Sequence, residues 1–173
     1  MKYTVVDGHC DTPMELWLRQ ENLRSNTCQV SLERAKKLSG YVQFYAFCTV
    51  WLEQDGSFEA HYAGALEHFN RQLDENKDWI VRCKNEADAR AAIGSGKCGA
   101  FLSIEGAEAI SCDPGKLELA CAQGVRMIAP AWNAQNALTG SCMTGGGLTA
   151  QGKEFVRRAQ KLGMILDVSH ISE

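Results

Sequence analysis

In the second half of the chain, one order of hydrophobic and polar positions recurs three times: a helix-like stretch, a glycine, a short apolar run, then a polar cluster. Residues 86–93 predict a helix closed by Gly94 to Gly96, and the apolar run 98–104 stops at Glu105-Gly106. A helix near 117–123 is capped by Gly124, and the strand 125–130 ends at Trp132-Asn133. Thr149 is a plausible N-cap for a helix reaching Leu162, Gly163 closes it, and 164–168 forms a strand that ends at Ser169-His170. This is the helix, cap, strand, loop cycle of parallel β/α proteins.

Upstream, residues 3–7 read as a first strand leading to His9 and Asp11, and 41–50 as a second, rich in aromatic and β-branched residues. Tyr62, Leu66, Phe69 and Leu73 recur every three to four residues within 60–76, which predicts a helix with one apolar face. Residues 79–83 make a further strand-like piece, expected outside the main sheet. The run Gly145-Gly146-Gly147 reads as a flexible loop.

Five strands separated by helices fit either a small doubly wound sheet or the first five units of an eight-stranded (β/α) barrel. The polar strand ends favour the barrel, because its strands converge on one mouth and can bring His9, Asp11, Glu105 and His170 to one ion. An open sheet gathers mainly the residues at its switch point. The expectation is therefore an α/β chain forming an incomplete (β/α)8 barrel, with residues 1–173 as the N-terminal part of a single domain.

Composition narrows the function. With 18 basic and 21 acidic residues the chain carries no basic stripe, so a nucleic-acid partner is not expected. No stretch approaches the roughly 20 apolar residues of a membrane span, and the N-terminal apolar segment is too short for a signal peptide, so a cytoplasmic, membrane-free protein is expected. The 8 cysteines form no C-x-x-C pair, and they read as reduced thiols in small apolar positions. Gly94-Ser95-Gly96-Lys97 is no phosphate loop, since Cys98 stands where the magnesium-binding hydroxyl belongs. No G-x-S-x-G elbow supports a serine hydrolase.

His9 and Asp11, two apart after an extended segment, can grip one cation from the same side of the backbone. Taken alone, the pair is equally consistent with a structural turn. Imidazole and carboxylate donors without thiolate suit a hydrolytic zinc site, and Glu105 and His170 would complete such a set. Each has a plainer alternative: Glu105 as a carboxylate at the next helix N-terminus, His170 bonded to a loop carbonyl. Asp167 is either a partner for His170 or a polar residue of the barrel interior. His61 and His68 read as surface histidines.

Taken together, these stretches resemble the membrane (renal) dipeptidase family. Asp7-Gly8-His9-Cys10-Asp11-Thr12-Pro13 is similar to its D-G-H-x-D-x-P opening, and Gly40-Tyr41-Val42-Gln43-Phe44 to its second-strand segment. Ser103-Ile104-Glu105-Gly106 resembles the bridging-glutamate segment. Gly147-Leu148-Thr149 with Gly152-Lys153, then Asp167-Val168-Ser169-His170, resembles the helix and strand that close this region. The resemblance implies a zinc metallopeptidase that cleaves the amide bond of dipeptides with a metal-activated water at a two-zinc site. It implies that His9 and Asp11 hold the first zinc, that Glu105 bridges both as the catalytic carboxylate, and that His170 holds the second.

Where some members of the family place a substrate-contacting histidine, this chain has Trp132, so Trp132 and Asn133 are the candidates for lining the substrate pocket. Family members continue through three more strands that supply a further histidine, an arginine and a late aspartate. The chain alone is accordingly expected to hold one metal better than two and, with a strand edge uncovered, to be poorly soluble, homo-oligomeric or dependent on a partner fragment. The alternative function is a catalytically inactive fragment that serves as an interaction module.

Overall fold

The apolar runs of the sequence become parallel strands in the computed structural model, which describes residues 3–55 and 57–172. Met1, Lys2, Gly56 and Glu173 lie outside the described residues. The strands are β1 (Thr4–Cys10), β2 (Gly40–Cys48), β3 (Ile80–Arg82), β4 (Cys98–Glu105), β5 (Val125–Ala129) and β6 (Ile165–Leu166). The helices are α1 (Thr12–Arg19), α2 (Leu32–Ala35), α3 (Phe58–Glu75), α4 (Glu86–Gly94), α5 (Leu117–Ala122) and α6 (Ala150–Lys161).

The chain divides into two compact units, and the division passes through the end of β2, α3 and β4. The first holds residues 1–47 and 63–102, the second 48–62 and 103–173. In the first unit β1 lies beside β2 and β2 beside β4; in the second, β5 follows β4 and β6 follows β5. The order along this path never reverses, whereas a doubly wound sheet reverses at its switch point. The chain is α/β, with the strand order of the first five units of a (β/α)8 barrel.

One expectation changes. The piece read as lying outside the sheet contributes β3, which pairs in parallel with the start of β4, Ile80 opposite Cys98 and Arg82 opposite Ala100. It is off the main strand path. Only three residues long, it offers too little alternation for its pairing to be read from sequence.

In the first unit the core forms where α3 meets β2. The predicted face of α3 is buried, and Phe69 packs against Tyr45 with centroids 4.8 Å apart and edge-on to Phe47 at 6.0 Å. Burying a phenylalanine of this kind is worth about 1.5–3 kcal/mol. His68, one residue earlier, is also buried. Its Nε2 lies 3.1 Å from the Glu21 carbonyl and its Nδ1 3.2 Å from Arg71, so the surface reading of His68 is corrected to a packed structural histidine. His61 is half-buried beside Ser57.

In the second unit α6 supplies fully buried Phe155 and Ala159, with Leu117, Val125, Ile128 and Leu138 also in that unit's core. Thr149 caps α6 as expected, its side chain accepting from the Gly152 amide. β6 is shorter than its apolar run, pairing with β5 only at Ile165 and Leu166, and Ile165 is exposed. The cysteines are thiols, five of them buried, which agrees with their reading as small core residues.

Candidate functional site

In the first unit, the end of β1 carries His9. From Asp7 to Cys10 the strand advances three residues while its partner advances two, from Gln43 to Tyr45, so His9 sits in a β-bulge. Such an extra residue breaks the alternation and re-aims side chains. Fully buried Gln43 braces the bulge by donating to the Asp7 carbonyl at 3.3 Å, and the Asp7 carboxylate accepts from the His9 amide at 3.1 Å.

Asp11 is the N-cap residue of α1. An aspartate there ordinarily spends its carboxylate on the first-turn amides, but Asp11 makes no side-chain cap bond; only its backbone carbonyl meets Met14 and Glu15. The carboxylate lies instead 3.4 Å from His9 Nε2. Asp11 is not extended (φ −87°, ψ 9°), so the pair meets through the bulge and the helix start, and the extended geometry expected of it is corrected.

Between them, Cys10 is half-buried, and desolvation pushes its thiol up to about 12. A cleft of about 420 Å³ opens beside the pair, its walls including Glu15, Arg19, Thr27 and Gln29. A wider concavity of about 920 Å³ lies over Asn70, Asp74, Lys77 and Arg82. None of the candidate residues lines it, and mixed surface charge without a converging donor set gives it no evident chemistry.

In the second unit Glu105 is the last residue of β4 and is 8% exposed. Gly106 then takes φ +92°, a conformation that L side chains rarely adopt, and a Cβ there would stand 2.6 Å from Val50 Cγ2. This turn lets the strand stop on Glu105. Its carboxylate Oε1 lies 2.9 Å from His170 Nε2. His170 Nδ1 lies 3.1 Å from Asn133 Oδ1, and Trp132 tilts over the same imidazole with centroids 6.2 Å apart at 50°.

Asp167 is half-buried, and its carboxylate accepts from the Ser169 amide at 2.9 Å and hydroxyl at 2.5 Å. It shapes the turn before His170 without bonding the imidazole, a correction to its reading as a partner for His170.

Sequence reasoning missed the residues that hold these loops. Fully buried Ser141 donates to the Asn133 carbonyl at 2.6 Å. Asn136 gives its amide to Glu108 and the Pro130 carbonyl, and its oxygen accepts from the Leu138 and Thr139 amides. Short polar residues in a loop carry no periodicity, so no pattern signalled them. The structure thus joins His9 with Asp11 in the first unit, and Glu105, His170, Asn133 and Trp132 in the second.

The family model for membrane dipeptidase (Peptidase family M19) matches residues 1–173. A dipeptidase of Claviceps purpurea, tcpJ, is 28% identical over 131 residues, covering 70% of this chain and 31% of its own. Among solved structures, a metallopeptidase described as dipeptidase AC superposes with a TM-score of 0.82 at 23% identity, covering 100% of this chain and 58% of that one. A metallopeptidase of Rhodobacter sphaeroides, liganded with a phosphinate mimic of the dipeptide L-Ala-D-Ala, superposes with a TM-score of 0.80 at 21% identity, covering 100% and 60%. The chain spans only 31% to 36% of the length of the curated relatives it matches. Matched by the family model along its whole length, this chain belongs to the membrane dipeptidase family.

Proposed function

We propose that this chain carries metal-ligating residues of a zinc-dependent dipeptidase: His9 and Asp11 in the first unit, Glu105 and His170 in the second. The observation that carries the reading is the Glu105–His170 pair, a buried carboxylate at the end of β4 set 2.9 Å from an imidazole presented after β6. The donor set fits zinc, since imidazole nitrogen and carboxylate oxygen are its ligands in hydrolytic sites, and the Asp11 carboxylate is not consumed by its helix. Zinc would supply an activated water and polarise a carbonyl. Glu105, held in low-dielectric surroundings, would orient that water and stabilise positive charge beside it. Half-buried Trp132 offers an apolar wall against which a dipeptide side chain can rest.

The substrate class rests on the family and on the relatives named as dipeptidases. The test is zinc content of the purified chain together with release of amino acids from simple dipeptides. Stoichiometric zinc that is lost on His9→Ala or Glu105→Gln, with hydrolysis following the metal, supports the proposal. Absence of zinc uptake, or uptake unchanged by both substitutions, refutes it.

A further inference from the structure

We infer that Asn133 is a positioning residue for His170, fixing which imidazole nitrogen is presented toward Glu105. The inference deepens the metal-site reading above and takes its metal-affinity arm from it.

A histidine can ligate through either nitrogen, and the one that keeps its proton is decided by the hydrogen bond that nitrogen makes. Here Asn133 Oδ1, an acceptor, stands 3.1 Å from Nδ1, so Nδ1 carries the proton and donates. Nε2 is left on the side of the Glu105 carboxylate, 2.9 Å away. Whether the imidazole is neutral or charged, the proton on Nδ1 is common to both states.

An exposed asparagine orients a neighbour only if its own backbone is fixed. Two ties hold the 130–142 loop to itself and to the loop carrying His170. Ser141 Oγ donates to the Asn133 carbonyl at 2.6 Å. The Cys142 amide donates to the His170 carbonyl at 2.8 Å, as part of the antiparallel bridge between Ser141 and Ile171. Both use main-chain groups or Ser141, so they survive replacement of the Asn133 side chain. Trp132 flanks the ring, tilted at 50° with centroids 6.2 Å apart, and rotation about χ2 is the freedom that Asn133 removes. The carboxamide is thereby engaged with the imidazole, which gives Asn133 a role distinct from the substrate contact expected of it.

The experiment uses long-range 1H–15N spectra of the chain, with and without zinc, on wild type, Asn133→Leu and Asn133→Asp. Leucine keeps the volume and removes the acceptor; aspartate keeps the acceptor. Wild type should show a protonated His170 Nδ1 in both states. Asn133→Leu should lose that preference and bind zinc about 10–100-fold more weakly, the usual effect of removing an outer partner of a ligating histidine. Asn133→Asp should restore both. A wild-type Nδ1 without a proton, or an Asn133→Leu variant with unchanged Nδ1 protonation, overturns the inference. Wild type that takes up no zinc refutes the metal-site reading instead, and the metal-free spectra then decide the role of Asn133 by themselves. Should Asn133→Leu fail to fold, the wild-type and Asn133→Asp spectra decide it.

Discussion

His170 Nε2 lies 2.9 Å from Glu105 Oε1, although 64 positions separate the two residues in the chain. Each is placed by a backbone event at its own strand end: the positive-φ Gly106 after β4, and the Asp167–Ser169 turn after β6.

The pair supports a prediction about stability. A ligand that binds only the folded state stabilises it by mass action, by about 2.7 kcal/mol at one hundred times its dissociation constant. Zinc at that excess should raise the melting temperature of the wild-type chain, and Glu105→Gln should abolish most of the rise. Thermal denaturation with and without zinc checks this, and an equal rise in the variant would count against Glu105 as a ligand.

Gly152 and Gly94 should respond to alanine in opposite directions. A Cβ on Gly152 would stand 1.9 Å from the Leu138 carbonyl oxygen, which packs onto the first turn of α6. Gly152→Ala should cost about 1–3 kcal/mol or more by forcing backbone apart. Gly94, ending α4, has open space where its Cβ would go. Gly94→Ala should be neutral or stabilise by up to about 1 kcal/mol, since glycine is the poorer helix former. Urea denaturation of both variants measures the contrast.

The buried thiols set an alkaline limit. Burial pushes Cys112 from its ordinary 9.0 up to about 12. Above pH 9 the unfolded chain has released that proton while the folded chain still holds it, so the unfolded state is favoured as pH rises. Stability should fall by roughly 1.4 kcal/mol per pH unit per such thiol between pH 9 and 12. Cys112→Ala should flatten that fall, read from urea midpoints at pH 8 and pH 10. Exposed Cys142 should be alkylated first in the native chain, with Cys112 protected until unfolding.

What the sequence made legible follows from where pattern exists. The α3 face, the Thr149 cap, the strand ending at Glu105 and the existence of β5 were readable, because periodicity and capping chemistry are local. His9 and Asp11 were readable as a pair, yet not the reason they meet. The bulge at His9 depends on pairing with β2 and on Gln43, thirty-odd residues away. His68 defeats pattern reading in the same way, since its burial depends on the Glu21 carbonyl reached from another element. Ser141, Asn136 and the Asn133–His170 bond lie in loops, where neither a period of two nor one of 3.6 applies.

Gln20 offers a way to separate stability from the chemistry of β1 and α1. It ends α1 in the left-handed conformation, φ 53° and ψ 36°, with its backbone N–H closing onto the Leu16 and Trp17 carbonyls. Glycine is the usual occupant of this position, and an L side chain there costs about 1 kcal/mol. Gln20→Gly keeps the two capping bonds, which are made by the backbone, and gives up only the bond from Gln20 Nε2 to the Trp17 carbonyl. That bond is exposed and worth less than the relieved strain. The variant should therefore gain roughly 0.5 kcal/mol in urea denaturation. Neither His9 nor Asp11 changes neighbours, so zinc affinity should stay at the wild-type value. A variant that gains stability and loses zinc would show that the end of α1 is coupled to Asp11 at its start, and that the αL residue is kept for the site.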